Sequence, residues 1–87
     1  MNLQGGNRQN MYLDERSEWI LNDILAENKI HTKELCKKYN ISLRQLMYSV
    51  EKINAYLVEK KEEPVIKSRM GELQASKNSR KILDQWL

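Results

Sequence analysis

The chain has a single cysteine, Cys36, and a single histidine, His31. One cysteine excludes an internal disulfide and a cysteine-rich zinc site, and it suits a reducing cytosol. One histidine has no second histidine to share a metal, and its only partner for a catalytic dyad is Cys36. Proline occurs once, at Pro64, and glycine three times. The sequence carries no glycine-rich phosphate loop, no nucleophile paired with a base and no carboxylate pair with a recognisable pocket. An enzyme is therefore not expected, and neither is a cofactor or a metal. No apolar run approaches the length of a membrane span. The N-terminal MNLQGGNRQN lacks the apolar centre of a secretory signal, so a cytoplasmic location is expected. There is no internal repeat and no low-complexity segment. Neither sign of charge dominates, since 15 Lys and Arg stand against 12 Asp and Glu for a net +3. That balance permits nucleic-acid binding without demanding it.

What is present reads as one small helical domain. Eighty-seven residues allow a modest core and little room for an enclosed cleft. A content of 40% hydrophobic and 31% charged residues suits a folded chain. Residues 1–11 are polar, include Gly5-Gly6, and are expected to be disordered, as a natural tail or an expression remnant. The main domain is expected over residues 12–74. A first helix spans Asp14 to Glu27, with Asp14 as its cap and Glu15 in its first turn. Trp19, Ile20, Leu21, Ile24 and Leu25 form its apolar face. Ile30 is a short extended link. A second helix, Thr32 to Lys38, turns Leu35 and Cys36 inward and Lys33, Lys37 and Lys38 outward. Cys36 reads as a buried, inert thiol. Tyr39-Asn40-Ile41 is a tight turn in which Asn40 suits the left-handed conformation.

The third helix has the clearest start. Ser42 is a good N-cap and Gln45, three residues on, completes a capping box. Leu46, Val50, Ile53 and Leu57 form one apolar stripe, which carries the helix to Glu59. The run Glu59-Lys60-Lys61-Glu62-Glu63 is a solvated end, and Pro64 stops the helix. Val65 to Arg69 alternates as a strand does, Met70-Gly71 offers a turn, and Glu72-Leu73-Gln74 returns as a second strand. Residues 75–87 form a last helix with Ile82, Leu83, Trp86 and Leu87 on its apolar side. That helix is a linker to further domains, a dimer surface, or a piece folded back on the first helix.

A short helix, a tight turn and a longer helix make a helix-turn-helix. A hairpin directly after it has the place of a wing. The expected fold is mainly α with a small β-hairpin: a winged helix-turn-helix with a three-helix core, a wing and a C-terminal helix. The stretch ERSEWILNDILAENKIHTKELCKKYNISLRQLMYSVEKINAYL, followed by PVIKSRMG, resembles the N-terminal winged helix-turn-helix of BglG/Mga-type transcriptional regulators. Similar modules occur in DeoR-like repressors. The resemblance covers Asp14 to Gly71 and is most specific in KELCKKYNIS, in EKINAYL and in the I-K-S-R-x-G wing. It implies sequence-specific binding of double-stranded operator DNA by one module of a longer bacterial regulator or antiterminator. Such regulators carry phosphotransferase regulation domains and control sugar-utilisation genes. Three positions depart from the family pattern. His31 stands where Thr or Ser caps the second helix, Met47 where a basic residue is common, and Ser49 where Asp is common.

With the third helix in a major groove, Leu43, Arg44, Gln45, Met47 and Tyr48 would face the bases. Arg44 is suited to guanine, Gln45 to adenine and Leu43 to a thymine methyl. Tyr48 would reach a phosphate or stack. Ser42, at the positive end of the helix, would donate to phosphate. Lys67 and Arg69, on one strand face, suit phosphate or the minor groove, while Glu62, Glu63 and Glu72 beside them oppose deep insertion. Lys33, Lys37 and Lys38 either hold the DNA backbone or form a solvated face. Gln45 either reads a base or serves only the capping box, and Met47 either fills the core or meets a partner. The competing functional class is a winged helix that binds protein through Leu43, Met47 and Tyr48. A homodimer reading two half-sites is compatible with the DNA-binding reading.

Overall fold

A computed structural model describes residues 13–86 of the chain. The expected disordered tail, and the apolar role given to Leu87, lie outside the described residues. The elements run α1 (Glu15–Ala26), β1 (Lys29–His31), α2 (Thr32–Tyr39), α3 (Leu43–Glu59), β2 (Ile66–Lys67), β3 (Glu72–Gln74) and α4 (Lys77–Trp86). The described chain is thus mainly helical, with one small antiparallel sheet in the order β1-β3-β2. None of the described helices is long and apolar enough to cross a membrane.

Each helix starts and stops where its residues dictate. Asp14 caps α1 by accepting from the Ser17 amide, and His31 caps α2 by accepting from the Lys33 amide. Ser42 and Gln45 form the complete capping box of α3. The ends of α2 and α3 share one device. Asn40 (φ 54°) and Lys61 (φ 62°) take the left-handed conformation. The following amides then turn back into the helix, Ile41 onto the Cys36 carbonyl at 3.0 Å and Glu62 onto the Leu57 carbonyl at 2.8 Å. This termination satisfies carbonyls that the helix itself leaves open. Asn is a common choice there. Lys61 does the same despite its Cβ.

The core lies between α1, α3 and the inner face of the sheet. The stripe Leu46, Val50, Ile53 and Leu57 is 0–1% exposed, as are Ile20, Leu21, Ile24, Leu35, Leu73 and Leu83. Burial of that apolar surface is the main favourable term holding so small a fold. One part of the expected α1 face shifts. Ser17, Ile20, Leu21 and Ile24 occupy its buried centre, whereas Trp19 is 41% exposed and stacks on Tyr39 with centroids 5.4 Å apart.

The sheet departs from the expected hairpin in three ways. Ile30 is not a bare link: β1 pairs with β3, placing Ile30 opposite Leu73 and His31 opposite Glu72. The β2 strand stops at Lys67, so Arg69 does not share a strand face with it. The hairpin closes through Ser68, whose carbonyl accepts from Gly71 N at 2.9 Å and whose amide donates to Glu72 O at 2.8 Å. Arg69 and Met70 therefore sit at the tip, and Gly71 (φ 85°) supplies the left-handed residue that closes a three-residue loop. The register also orients the strand. Lys67 lies opposite Leu73, on the core side of the edge strand, and Ile66 lies opposite Gln74 on the outer side.

The α4 helix is folded back on α1 and α3. Leu83 is fully buried and Ile82 and Trp86 pack against the core. Trp86 stacks on Tyr56 of α3 with centroids 3.9 Å apart and planes within 8°. Arg80 donates to the carbonyls of Ile24 (2.7 Å), Leu25 (2.7 Å) and Glu27 (3.0 Å) at the end of α1.

Candidate functional site

The N-terminal end of α3 stands clear of the core, and it carries most of the residues singled out in the sequence. Leu43, Arg44, Gln45 and Tyr48 are all exposed. A turn of 100° per residue aligns Arg44 with Tyr48, Glu51 and Ala55 along the outermost line of the helix. These residues are exposed over the whole length of that line. Arg44, Met47, Tyr48 and Glu51 border a shallow depression on this face. Leu43 and Met47 occupy one flank. Met47 is half-buried and packs against the core, so its side chain is divided between filling and surface. Tyr48 is 57% exposed.

The capping box constrains two members of the set. The Ser42 hydroxyl oxygen accepts from Gln45 N at 3.1 Å, which leaves the hydroxyl proton to donate. Gln45 Oε1 accepts from Ser42 N at 2.9 Å. Bidentate pairing with adenine uses the amide oxygen and the amide nitrogen together. In this geometry the oxygen already has a backbone partner.

Two residues of α3 acquire roles that the sequence did not suggest. Glu51 lies seven positions after Arg44 and so on the same line, a spacing that could have been noticed. Its carboxylate opposes phosphate while being a suitable acceptor for an amino group. Ser49 is buried and accepts from Arg16 Nε at 3.1 Å. Ser49 therefore serves the α1–α3 contact and not the outward face.

The three lysines of α2 are not equivalent. Lys38 Nζ donates to both oxygens of Asp23, at 3.0 and 3.1 Å, and the Tyr39 hydroxyl donates to the same carboxylate. Asp23 holds the Lys38 ammonium above its ordinary range, and burial together with Asp23 raises the Tyr39 phenol. All three lysines are exposed, and Lys38 already has a counter-ion in Asp23. On the hairpin, Arg69 and Lys67 are exposed, and Met70 at the tip is 76% exposed.

The hairpin and α2 meet at His31. The Gly71 carbonyl accepts from Thr32 N at 2.8 Å, and the imidazole lies against the α-carbon of Gly71. A methyl group at Gly71 would come within 3.0 Å of His31 Cε1. Among the described residues no cluster of three or more His, Cys, Asp or Glu side chains is placed to hold a metal ion. Set against protein-family models, curated proteins and solved structures, the chain finds no match in any of the three.

Proposed function

We propose that the chain is a winged helix-turn-helix module that binds double-stranded DNA in a sequence-specific manner. On this reading it serves in the cytoplasm as the N-terminal part of a bacterial transcription regulator or antiterminator of carbohydrate-uptake genes. The observation that carries the proposal is the disposition of α3. Its inner stripe is wholly buried, while its first turn projects from the fold with Leu43 and Arg44 exposed and Ser42 at the positive end. Support also comes from the hairpin, which follows α3 directly and returns beside β1 through the order β1-β3-β2. In the proposed complex Arg44 pairs with a guanine, Leu43 and Tyr48 touch base or sugar, and Ser42 donates to a phosphate. Gln45 contributes through its free amide nitrogen. Lys33, Lys37, Lys67 and Arg69 neutralise phosphates, with Lys38 a weaker contributor because of Asp23. Two such modules would read two half-sites. A second copy would dock elsewhere than on Ile82, Leu83 and Trp86, which are packed inside one chain.

Selection of binding sites from random duplex DNA tests the proposal directly. Enrichment of a common sequence is expected, and replacing Arg44 by Ala should relax one base position at a cost of about 1–3 kcal/mol. A selection that enriches nothing would remove the proposal.

One observation favours a second reading, in which the same face binds protein. Beside Arg44 it presents exposed Leu43, Tyr48 and Val58 and the anion Glu51. DNA binding weakens steeply with salt because counterions are released. A contact made through apolar side chains does not, so salt dependence separates the two.

A further inference from the structure

We infer that His31 is a proton-sensitive clasp that sets the hairpin against the α2–α3 unit. Its cap on α2 is of an unusual kind. His31 Nδ1 accepts from Lys33 N at 3.0 Å, so that nitrogen is unprotonated and the ring proton is on Nε2. The other edge of the same ring lies against Gly71, and the Thr32 amide, next in sequence, donates to the Gly71 carbonyl at 2.8 Å. One imidazole therefore closes the first turn of α2 and buttresses the loop that carries Arg69 and Met70. Gly71 is required twice over, by its φ of 85° and by the space the ring fills.

Protonation removes the device. An imidazolium has a proton on both nitrogens and cannot accept, so the Lys33 amide would face a donor. It would also place positive charge at the positive end of α2. The charged groups around the ring have both signs. Lys33 and Glu34 stand in the first turn of α2, Glu72 lies directly opposite in β3, Arg69 is in the adjoining loop, and Lys29 is two residues back in β1. The two carboxylates would draw the released ring toward themselves and away from the cap. Histidine ordinarily changes charge between about pH 5 and 8. His31 is the only histidine in the sequence, so any histidine ring signal belongs to it. A hydroxyl cap, the kind the resembled family carries here, would not titrate.

The test has two arms, of which only the second rests on the DNA-binding proposal. In the first, amide resonances of the full chain are followed from pH 8 to pH 5.5. Lys33 and Gly71 should shift together along one titration curve, in step with the His31 ring carbons, and the curve should vanish in His31→Thr. In the second, affinity for a selected duplex is measured at both pH values. If protonation frees the hairpin that carries Arg69, binding should weaken at the lower pH, and that loss should be absent in His31→Thr. Tighter binding at low pH would mean that the imidazolium simply adds a phosphate contact, and would overturn the clasp. Stationary Lys33 and Gly71 amides would overturn it as well. Should no duplex bind at any pH, the DNA proposal falls and the amide titration still decides the clasp.

Discussion

Single side chains hold the parts of this fold that backbone pairing leaves open. Asn54 is the clearest case. From the middle of α3 its carbonyl oxygen accepts from Val65 N at 2.7 Å, and its amide donates to Val65 O at 3.1 Å. Those two bonds fasten the start of β2 to the helix at a half-buried position. Asn54→Ala should cost about 1–3 kcal/mol, because a buried amide loses its partner. Urea unfolding measures this, and an unchanged midpoint would show that water replaces the side chain. The Asp14 carboxylate gives the pH counterpart. Ser17 chiefly, and Lys52 at 3.5 Å, hold its pKa below the ordinary 3.8 against the opposing effect of burial. A lowered folded-state value means stability that is complete above the unfolded value and is lost as pH falls through the folded one. The urea midpoint of the wild type should therefore fall with pH below about 4 more steeply than that of Asp14→Asn, which keeps a cap but does not titrate.

At the scale of elements, helix ends decide how the pieces meet. The α1 helix ends at an extended Glu27, without a glycine and with no basic residue in its last turn. Its terminal carbonyls are instead met by Arg80, which lies 53 to 56 positions away on α4. A charged donor on open carbonyls also suits the negative end of the helix. Arg80→Ala should destabilise the domain by about 1.5–3 kcal/mol, with Arg80→Lys recovering only part of the loss. Thermal unfolding of the three proteins checks this, and equal midpoints would show that α4 is held by Leu83 and Trp86 alone. The capping box of α3 has a functional cost at the same scale. The interaction that makes the helix start so well defined also occupies the oxygen that Gln45 would use to read adenine.

For the whole molecule the question is where charge lies relative to the α3 face. The net charge of +3 is small, and Asp23 and Glu51 offset part of the basic surface near α2 and α3. On the proposed DNA-binding reading, affinity would lean on few cations, among them the hairpin pair. Replacing Lys67 and Arg69 together by Ala should weaken binding alike on all duplexes and flatten the dependence of log K on log salt by about 2. An unchanged slope would take the hairpin out of the contact set. If the clasp at His31 governs the placement of that hairpin, the same pair should matter less at low pH.

Much of this was legible in the sequence because it depends on neighbours along the chain. Helical spacing placed the α3 stripe, and Asp14, Ser42 with Gln45, and Asn40 marked ends through their own conformations and hydrogen bonds, whereas α3 is closed by left-handed Lys61, ahead of Pro64. The outward residues of α3 followed from the same periodicity. What the sequence left open depends on residues brought together from far apart. The pairing of β1 with β3 joins short segments more than forty positions apart, and a three-residue strand carries no alternation long enough to recognise. The placement of α4, the Arg80 cap, the tie between Arg16 and Ser49 and the neutralisation of Lys38 by Asp23 all need two elements in contact. So does the meeting of His31 with Gly71. Local spacing determined which helices form and which faces they bury. Only the tertiary structure decided which polar groups on those faces are already paired, because a hydrogen bond between distant residues exists only once packing has set their distance.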